Sequence, residues 1–153
     1  KWLINELRVG QFYWPEVGQS KCPLTIHLKK PELHRLILDK KGQYSVAGKD
    51  PVFVFDFGEP LYGNKVPYLS FHMVCRDYDG DIPIQLFWRT SNTPFNENDS
   101  IRFDAENGFN NIFIPNLISQ DNLHAMRIDL DGNVQCKNLF LSDVKLGGSI
   151  SVN

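Results

Sequence analysis

Short stretches in which apolar and polar residues alternate constrain this chain more than any other feature of its sequence. In residues 83–89, the apolar side chains Ile84, Leu86 and Trp88 occupy every second position, which is the period of a half-buried β-strand. Residues 68–75 alternate in the same way. Long helical stripes are absent, and nine prolines and eleven glycines are scattered along the whole length. The pattern predicts a chain built from short strands and turns.

The same signals predict a set of further strands. They lie at residues 24–28, 52–57, 100–105, 111–115, 124–130 and 134–146, the last with a break near residue 141. Segment 32–39 suits either a helical turn or a strand leading into a hairpin at Lys41-Gly42. Asp-Gly steps at residues 79–80 and 131–132 favour hairpins between the strands that flank them. Strands without β-α alternation or a fixed repeat predict an all-β fold, an antiparallel β-sandwich or jelly roll with little or no helix.

Size and charge bound the classes of function. The 153 residues, of 17.6 kDa, suit a single β-sandwich domain spanning residues 1–153. Sixteen basic and eighteen acidic residues give a net charge of −2, so no nucleic-acid partner is expected, and no apolar run reaches the roughly 20 residues of a transmembrane segment. Because the chain begins at Lys1-Trp2, we expect it to be excised from a larger multidomain protein, with Gly147-Gly148-Ser149 as a linker.

Three cysteines, Cys22, Cys75 and Cys136, show no Cys-x-x-Cys spacing, so a zinc or redox motif is not expected. We expect free, mostly buried thiols in a reducing compartment. The expected location is therefore cytoplasmic, with any membrane association supplied by the parent protein. One disulfide with a spare thiol, in a secreted protein, is the alternative.

The sequence contains no specific catalytic or cofactor motif. Its four histidines lack metal-ligand spacing, and no nucleophile elbow, P-loop or dinucleotide fingerprint is present. The acidic turns at residues 77–81 and 129–133 offer oxygen ligands for calcium, but Asp-Gly hairpins explain both turns. We therefore expect no cofactor, with structural calcium as the alternative, and a domain that is not itself an enzyme.

Several segments of the second half match a family pattern in spacing and residue type. They are Asp50-Pro51-Val52-Phe53, Tyr68-Leu69-Ser70-Phe71, Gln85-Leu86-Phe87-Trp88, Phe95-Asn96-Glu97-Asn98-Asp99-Ser100 and Met126-Arg127-Ile128-Asp129-Leu130. Over residues 50–146 the chain resembles the jelly-roll, galactose-binding-like carbohydrate-binding modules attached to bacterial glycosyltransferases and other polysaccharide enzymes. The family pattern has an aromatic strand followed by a loop with Phe and an acidic residue. The resemblance implies lectin-like glycan binding without chemistry, next to a catalytic domain of the parent chain.

Strand alternation selects a candidate binding face. If Leu86 and Trp88 point inward and the alternating strands are neighbours, one outer face carries an aromatic ring among hydrogen-bonding groups, which suits a sugar. The residues predicted on this face are His72, Gln85, Phe87, Arg89, Arg127 and Asp129. The alternative is an ordinary solvated face with cross-strand Arg–Asp pairs.

A second candidate is the aromatic segment Phe12-Tyr13-Trp14-Pro15. Four bulky residues in a row cannot all face inward from a strand, so either Tyr13 or its neighbours Phe12 and Trp14 should face outward. Tyr13 and Trp14 are therefore further candidate carbohydrate-binding residues. The alternative is a packed lid or an interface with the parent chain. The function expected from the sequence is thus a non-catalytic module that holds a polysaccharide near a catalytic domain; the alternative is a protein-interaction or scaffold domain that binds no sugar.

Overall fold

The structure, a computed structural model, describes residues 24–91, 93–131 and 136–149, and these form eleven strands. The strands are β1 (Thr25–His27), β2 (Glu32–His34), β3 (Leu36–Leu38), β4 (Tyr44–Val46), β5 (Val52–Leu61), β6 (Tyr68–Cys75), β7 (Ile82–Arg89), β8 (Ser100–Ala105), β9 (Gly108–Phe113), β10 (Leu123–Leu130) and β11 (Asn138–Gly147). The helical elements are three short 3₁₀ turns, at Gly63–Lys65, Glu97–Asp99 and Pro115–Leu117. None of the helical turns in the described ranges is long enough to cross a bilayer.

The strands form two antiparallel sheets. Sheet one has the order β9-β6-β11-β4-β3, and β1 pairs with the end of β11. Sheet two has the order β2-β5-β10-β7-β8. The predicted all-β antiparallel sandwich is confirmed.

The core lies between the sheets because each strand buries one of its two faces. Sheet one contributes Leu69, Phe71 and Met73 from β6, and sheet two contributes Leu86 and Trp88 from β7. Each of these side chains is almost completely buried. The alternation predicted for β6 and β7 is therefore confirmed, and it leaves the opposite faces of both sheets to solvent.

Segment 32–39 forms two strands, β2 and β3, and not a helical turn. Arg35, with a φ of 60°, separates β2 from β3 and sends them into different sheets. The predicted hairpin at Lys41-Gly42 is confirmed, since β3 pairs with β4 and Gly42 has the positive φ (84°) that such a turn favours. Strand β11 stays in one sheet but shifts register between Ser142 and Lys145, close to the predicted break.

The two hairpins predicted at the Asp-Gly steps are wrong. Strand β6 belongs to sheet one and β7 to sheet two, and the chain crosses the sandwich again between β10 and β11. The reason is visible at the first crossing. Asn107 binds the backbone of Cys75 and of Tyr78, and the Asp77 carboxylate accepts the backbone N–H groups of Lys137 and Asn138. The turn is thus held against sheet one.

The expectation of free thiols is wrong for two of the three cysteines. Cys75 and Cys136 form a disulfide, with their Cα atoms 5.8 Å apart. Cys75 ends β6 and Cys136 precedes β11, so pairing of these strands brings the two sulfurs together. The disulfide joins the end of β6 to the start of β11, and the segment between them contains β7, β8 and β10 of sheet two and β9 of sheet one. Cys22 lies outside the described residues.

Candidate functional site

The outer face of sheet two, on the side away from the core, is an ordered grid of side chains. Register places them in three rows that run across the sheet. The first row is His34, Val52, Asp129, Gln85 and Arg102; the second is Glu32, Val54, Arg127, Phe87 and Ser100; the third is Asp56, Ala125 and Arg89. Five of the six residues predicted for one binding face are therefore neighbours: Gln85, Phe87, Arg89, Arg127 and Asp129.

Arg127 lies at the centre of this grid. Its Nε and one terminal nitrogen both donate to the carboxylate of Asp129, at 2.6 Å each. The hydrogen bond to Asp129 raises the pKa of Arg127, and burial opposes the shift without cancelling it. The guanidinium carbon also lies 4.4 Å from the centre of the Phe87 ring. A bidentate ion pair stacked on a ring fixes the plane of the guanidinium.

The loop between β7 and β8 folds back over this face and brings Phe95 to it. Gln85 Nε2 donates to the Glu97 carboxylate at 3.2 Å and to Ser100 Oγ at 3.0 Å, and Ser100 Oγ donates to the Glu97 carbonyl at 2.7 Å. These bonds tie the loop to the sheet. The Phe95 ring then lies 4.7 Å from the Arg89 guanidinium carbon and 5.7 Å from that of Arg127.

Phe87 was predicted to be the aromatic platform, but the structure leaves little of its ring accessible. Phe87 points outward but is only 5% exposed, because Arg127 and Phe95 pack over it. Phe95 is partly exposed and is the more accessible of the two rings. The signal for it was present in the sequence, since the family pattern includes a loop with Phe and an acidic residue.

Two clefts open on this face, one on each side of the Arg127–Asp129 pair. The first, which we call the basic cleft, has a volume of about 480 Å³. It is lined by Lys30, Glu32, His34, Arg35, Val52, Val54, Asp56, Arg89, Phe95 and Arg127. The second, the acidic cleft, has about 520 Å³ and is lined by Asp50, Pro83, Ile84, Gln85, Arg102, Phe103, Asp104, Asp129, Leu130 and Asp131. Only the basic cleft has an outward-facing aromatic ring on its wall.

One of the remaining predicted site residues lies on the other sheet. His72 lies on β6, in sheet one, where its register partners are Phe109 and Ser142. It therefore faces the opposite side of the molecule from Arg127. The prediction assumed that β6 and β7 are neighbours, but they lie in different sheets. Tyr13 and Trp14 lie outside the described residues.

Potential metal ligands come together at one place in residues 24–91, 93–131 and 136–149: Cys75, Asp77 and Cys136. The two sulfurs are bonded to each other, and Asp77 accepts backbone N–H groups. This group does not fit a thiolate metal site. Since Asp77 is engaged in this way, it is also a poor calcium ligand. The expectation of no cofactor, with calcium as its alternative, stays a prediction.

Solved structures with a similar architecture are known. A low-affinity xylan-binding module, CBM86, from Roseburia intestinalis matches with a TM-score of 0.52 and 13% identity, covering 80% of this chain and 92% of that one. The two sandwiches therefore share a fold. The chain has the fold of a carbohydrate-binding module. A family 11 module from Clostridium thermocellum, in complex with a mixed-linked tetrasaccharide, matches with a TM-score of 0.47 and 12% identity, over 84% of this chain and 89% of that one. No family model and no curated protein matches the sequence.

Proposed function

We propose that this domain is a non-catalytic carbohydrate-binding module whose ligand lies in the basic cleft. The observation that carries the proposal is the Phe95 ring on the wall of a cleft of about 480 Å³ whose other walls include Arg89 and Arg127. The fold shared with a xylan-binding module supports it.

The chemistry of a sugar suits these walls. The C–H face of a pyranose packs on an aromatic ring, and its hydroxyls need planar donors and acceptors around the rim. Phe95 supplies the ring, Arg127 is held in a fixed plane by Asp129, and the Asp56 carboxylate lies on the same cleft. Val52 and Val54 form an apolar floor.

Binding alone gives such a domain a use when it is tethered to an enzyme. A module that holds a polysaccharide raises the effective concentration of that substrate for a catalytic domain on the same chain. We propose a polysaccharide-active catalytic domain in the parent protein as the partner, such as a glycosyltransferase. The Cys75–Cys136 disulfide favours an oxidising compartment over the cytoplasm, because such bonds persist where thiols are not kept reduced.

The test compares two aromatic variants. Phe95→Ala removes the ring of the basic cleft, and Phe113→Ala removes an exposed ring on the outer face of sheet one. Titration of the folded chain with xylan and a panel of polysaccharides should show that Phe95→Ala weakens binding at least tenfold and that Phe113→Ala leaves it unchanged. A factor of ten corresponds to about 1.4 kcal/mol, which is the order of one aromatic contact.

Other outcomes discriminate between the functions. Folded protein that binds no glycan in the panel would overturn the proposal and favour a scaffold domain. Binding that disappears with a chelator would revive calcium. Equal binding by both variants would retain the function but move the site out of the basic cleft.

A further inference from the structure

The basic cleft carries an excess of positive charge in a chain that is negative overall. Its walls hold four basic side chains, Lys30, Arg35, Arg89 and Arg127, and two carboxylates, Glu32 and Asp56. The whole chain has a net charge of −2. The acidic cleft on the same face has the opposite balance, with four aspartates and one arginine. The cation excess is thus local to the cleft that holds Phe95.

Most charged groups of the basic cleft already have partners. Arg127 donates to Asp129 from two of its three nitrogens, Glu32 lies 3.2 Å from the His34 ring, and Arg35 Nε donates to the Asp50 carbonyl at 2.7 Å. The Asp56 carboxylate accepts the backbone N–H of Gly58. These groups are committed to the protein itself.

Arg89 differs from them. Within the described ranges no carboxylate or carbonyl is bonded to it, and its Nε is enclosed without a hydrogen-bond partner. Its contact is the Phe95 ring, at 4.7 Å. A partly buried guanidinium has lost part of its hydration, and without an anion nothing offsets that cost in free energy. Its planar set of donors matches a carboxylate in a bidentate geometry.

We propose that the glycan bound by this domain is acidic, and that a uronic-acid carboxylate of the ligand pairs with Arg89 while its pyranose ring packs on Phe95. The inference rests on the proposed function, and it specifies the class of ligand. Lys30, which also lines the cleft, adds a second positive charge that favours the same ligands. A ligand carboxylate would gain less binding free energy by pairing with Arg127, because Asp129 already neutralises that guanidinium.

The experiment uses three acidic polysaccharides, glucuronoxylan, polygalacturonate and alginate, each beside the same polymer after chemical reduction of its carboxyl groups to alcohols. The readout is the dissociation constant by calorimetry at low and high salt. We expect at least one acidic polymer to bind at least tenfold more tightly than its reduced form, and the difference to shrink as salt rises.

Variants assign the preference to Arg89. Arg89→Gln should bind the acidic and reduced polymers equally, and Arg89→Lys should retain a reduced preference, because the charge remains but the paired donors are lost. Arg102→Gln, on the same face beside the acidic cleft, is the matched control and should keep the full preference. Thermal unfolding of each variant checks that the fold survives, and Arg89→Lys keeps the test valid if Arg89→Gln is unstable.

The outcomes separate this inference from the function beneath it. If neutral and reduced polymers bind as tightly as the acidic ones, or Arg89→Gln keeps the preference, the acidic ligand is overturned while glycan binding stands. If polyglutamate binds as well as the acidic polysaccharides, Arg89 belongs to a general anion site and the inference falls. If folded protein binds none of the polymers, the proposed function fails as well.

Discussion

The outer faces of the two sheets both carry aromatic side chains, and they use them differently. On sheet two, Phe87 and Phe95 are packed with the guanidinium groups of Arg89 and Arg127, and a cleft borders them. On sheet one, Phe113 lies on the edge strand β9 and packs on Tyr68, with the ring centres 5.0 Å apart, yet it stays 48% exposed.

The difference between the faces comes from a loop. On sheet two, the β7–β8 connection is tied down by Gln85, Glu97 and Ser100, so that Phe95 forms a wall above the sheet. No lining of the described clefts includes Phe113 or Phe109, so these two rings of sheet one stand on an open surface. A third ring of sheet one, Phe140, lines a separate cleft of about 420 Å³ together with Arg76, whose guanidinium carbon lies 5.2 Å from the ring centre. An aromatic ring becomes the wall of a cleft when a second element of the chain encloses it. A count of exposed rings does not reveal such a cleft.

The largest expected effect tests the packing of the two faces. Phe87→Ala should lower the free energy of unfolding by about 3 kcal/mol, because a buried ring is lost and a cavity is left under Arg127. Phe113→Ala should cost about 1 kcal/mol or less, since its ring is half exposed. Urea unfolding followed by tryptophan fluorescence measures both values.

Similar losses for the two variants would contradict the comparison. A small loss for Phe87→Ala would mean that its ring is accessible after all and would restore it as a platform for the ligand. Glycan titration of Phe87→Ala is therefore not a clean test of stacking, and Phe95→Ala is the better variant for that purpose.

The disulfide is the next largest effect. It closes a loop that contains three of the five strands of sheet two, β7, β8 and β10, while both cysteines belong to the sheet-one side. In a Cys22→Ala background, which prevents mispairing, replacing both Cys75 and Cys136 by Ala should lower the free energy of unfolding by about 2–4 kcal/mol.

The comparison between sheets becomes sharper if hydrogen exchange is measured on the same variant. The crosslink restricts the unfolded chain over the whole segment 75–136, so we expect amides of sheet two and of β6 and β11 to lose protection together. A loss confined to the ends of β6 and β11 would show that the disulfide only fastens sheet one locally. No change in unfolding would argue against the bond.

The sequence predicted most of the strands because the alternation of each strand marks its own buried face, although the strand predicted at residues 111–115 is β9 at Gly108–Phe113. Residues 100–105 form β8 as predicted, and the prediction for residues 124–130 misses β10 by one residue. The alternation also placed Gln85, Arg89, Arg127 and Asp129 on an outward face, and β7 and β10 are neighbours as assumed.

Which strands share a sheet was harder to predict. Residues 68–75 and 82–89 are close in sequence and flank an Asp-Gly step, which favours a hairpin. Long-range bonds decide otherwise, since Asn107 and Asp77 hold the end of β6 against partners 32 and 60 residues away. The same limit explains Phe87 and the disulfide, because burial by Phe95 and the approach of Cys75 to Cys136 depend on tertiary pairing that periodicity does not encode.

The smallest expected effect concerns His72, which sequence alternation grouped with the sheet-two residues. His72 is exposed on sheet one, opposite Phe109, and the sheets of a sandwich stack about 10 Å apart with the core between them. His72→Ala should therefore change glycan affinity by less than twofold and the free energy of unfolding by about 0.5 kcal/mol or less. Titration beside Phe95→Ala and Arg89→Gln measures this. A loss of affinity in His72→Ala that matches theirs, with the fold intact, would place a second glycan contact on sheet one and make the two faces equivalent.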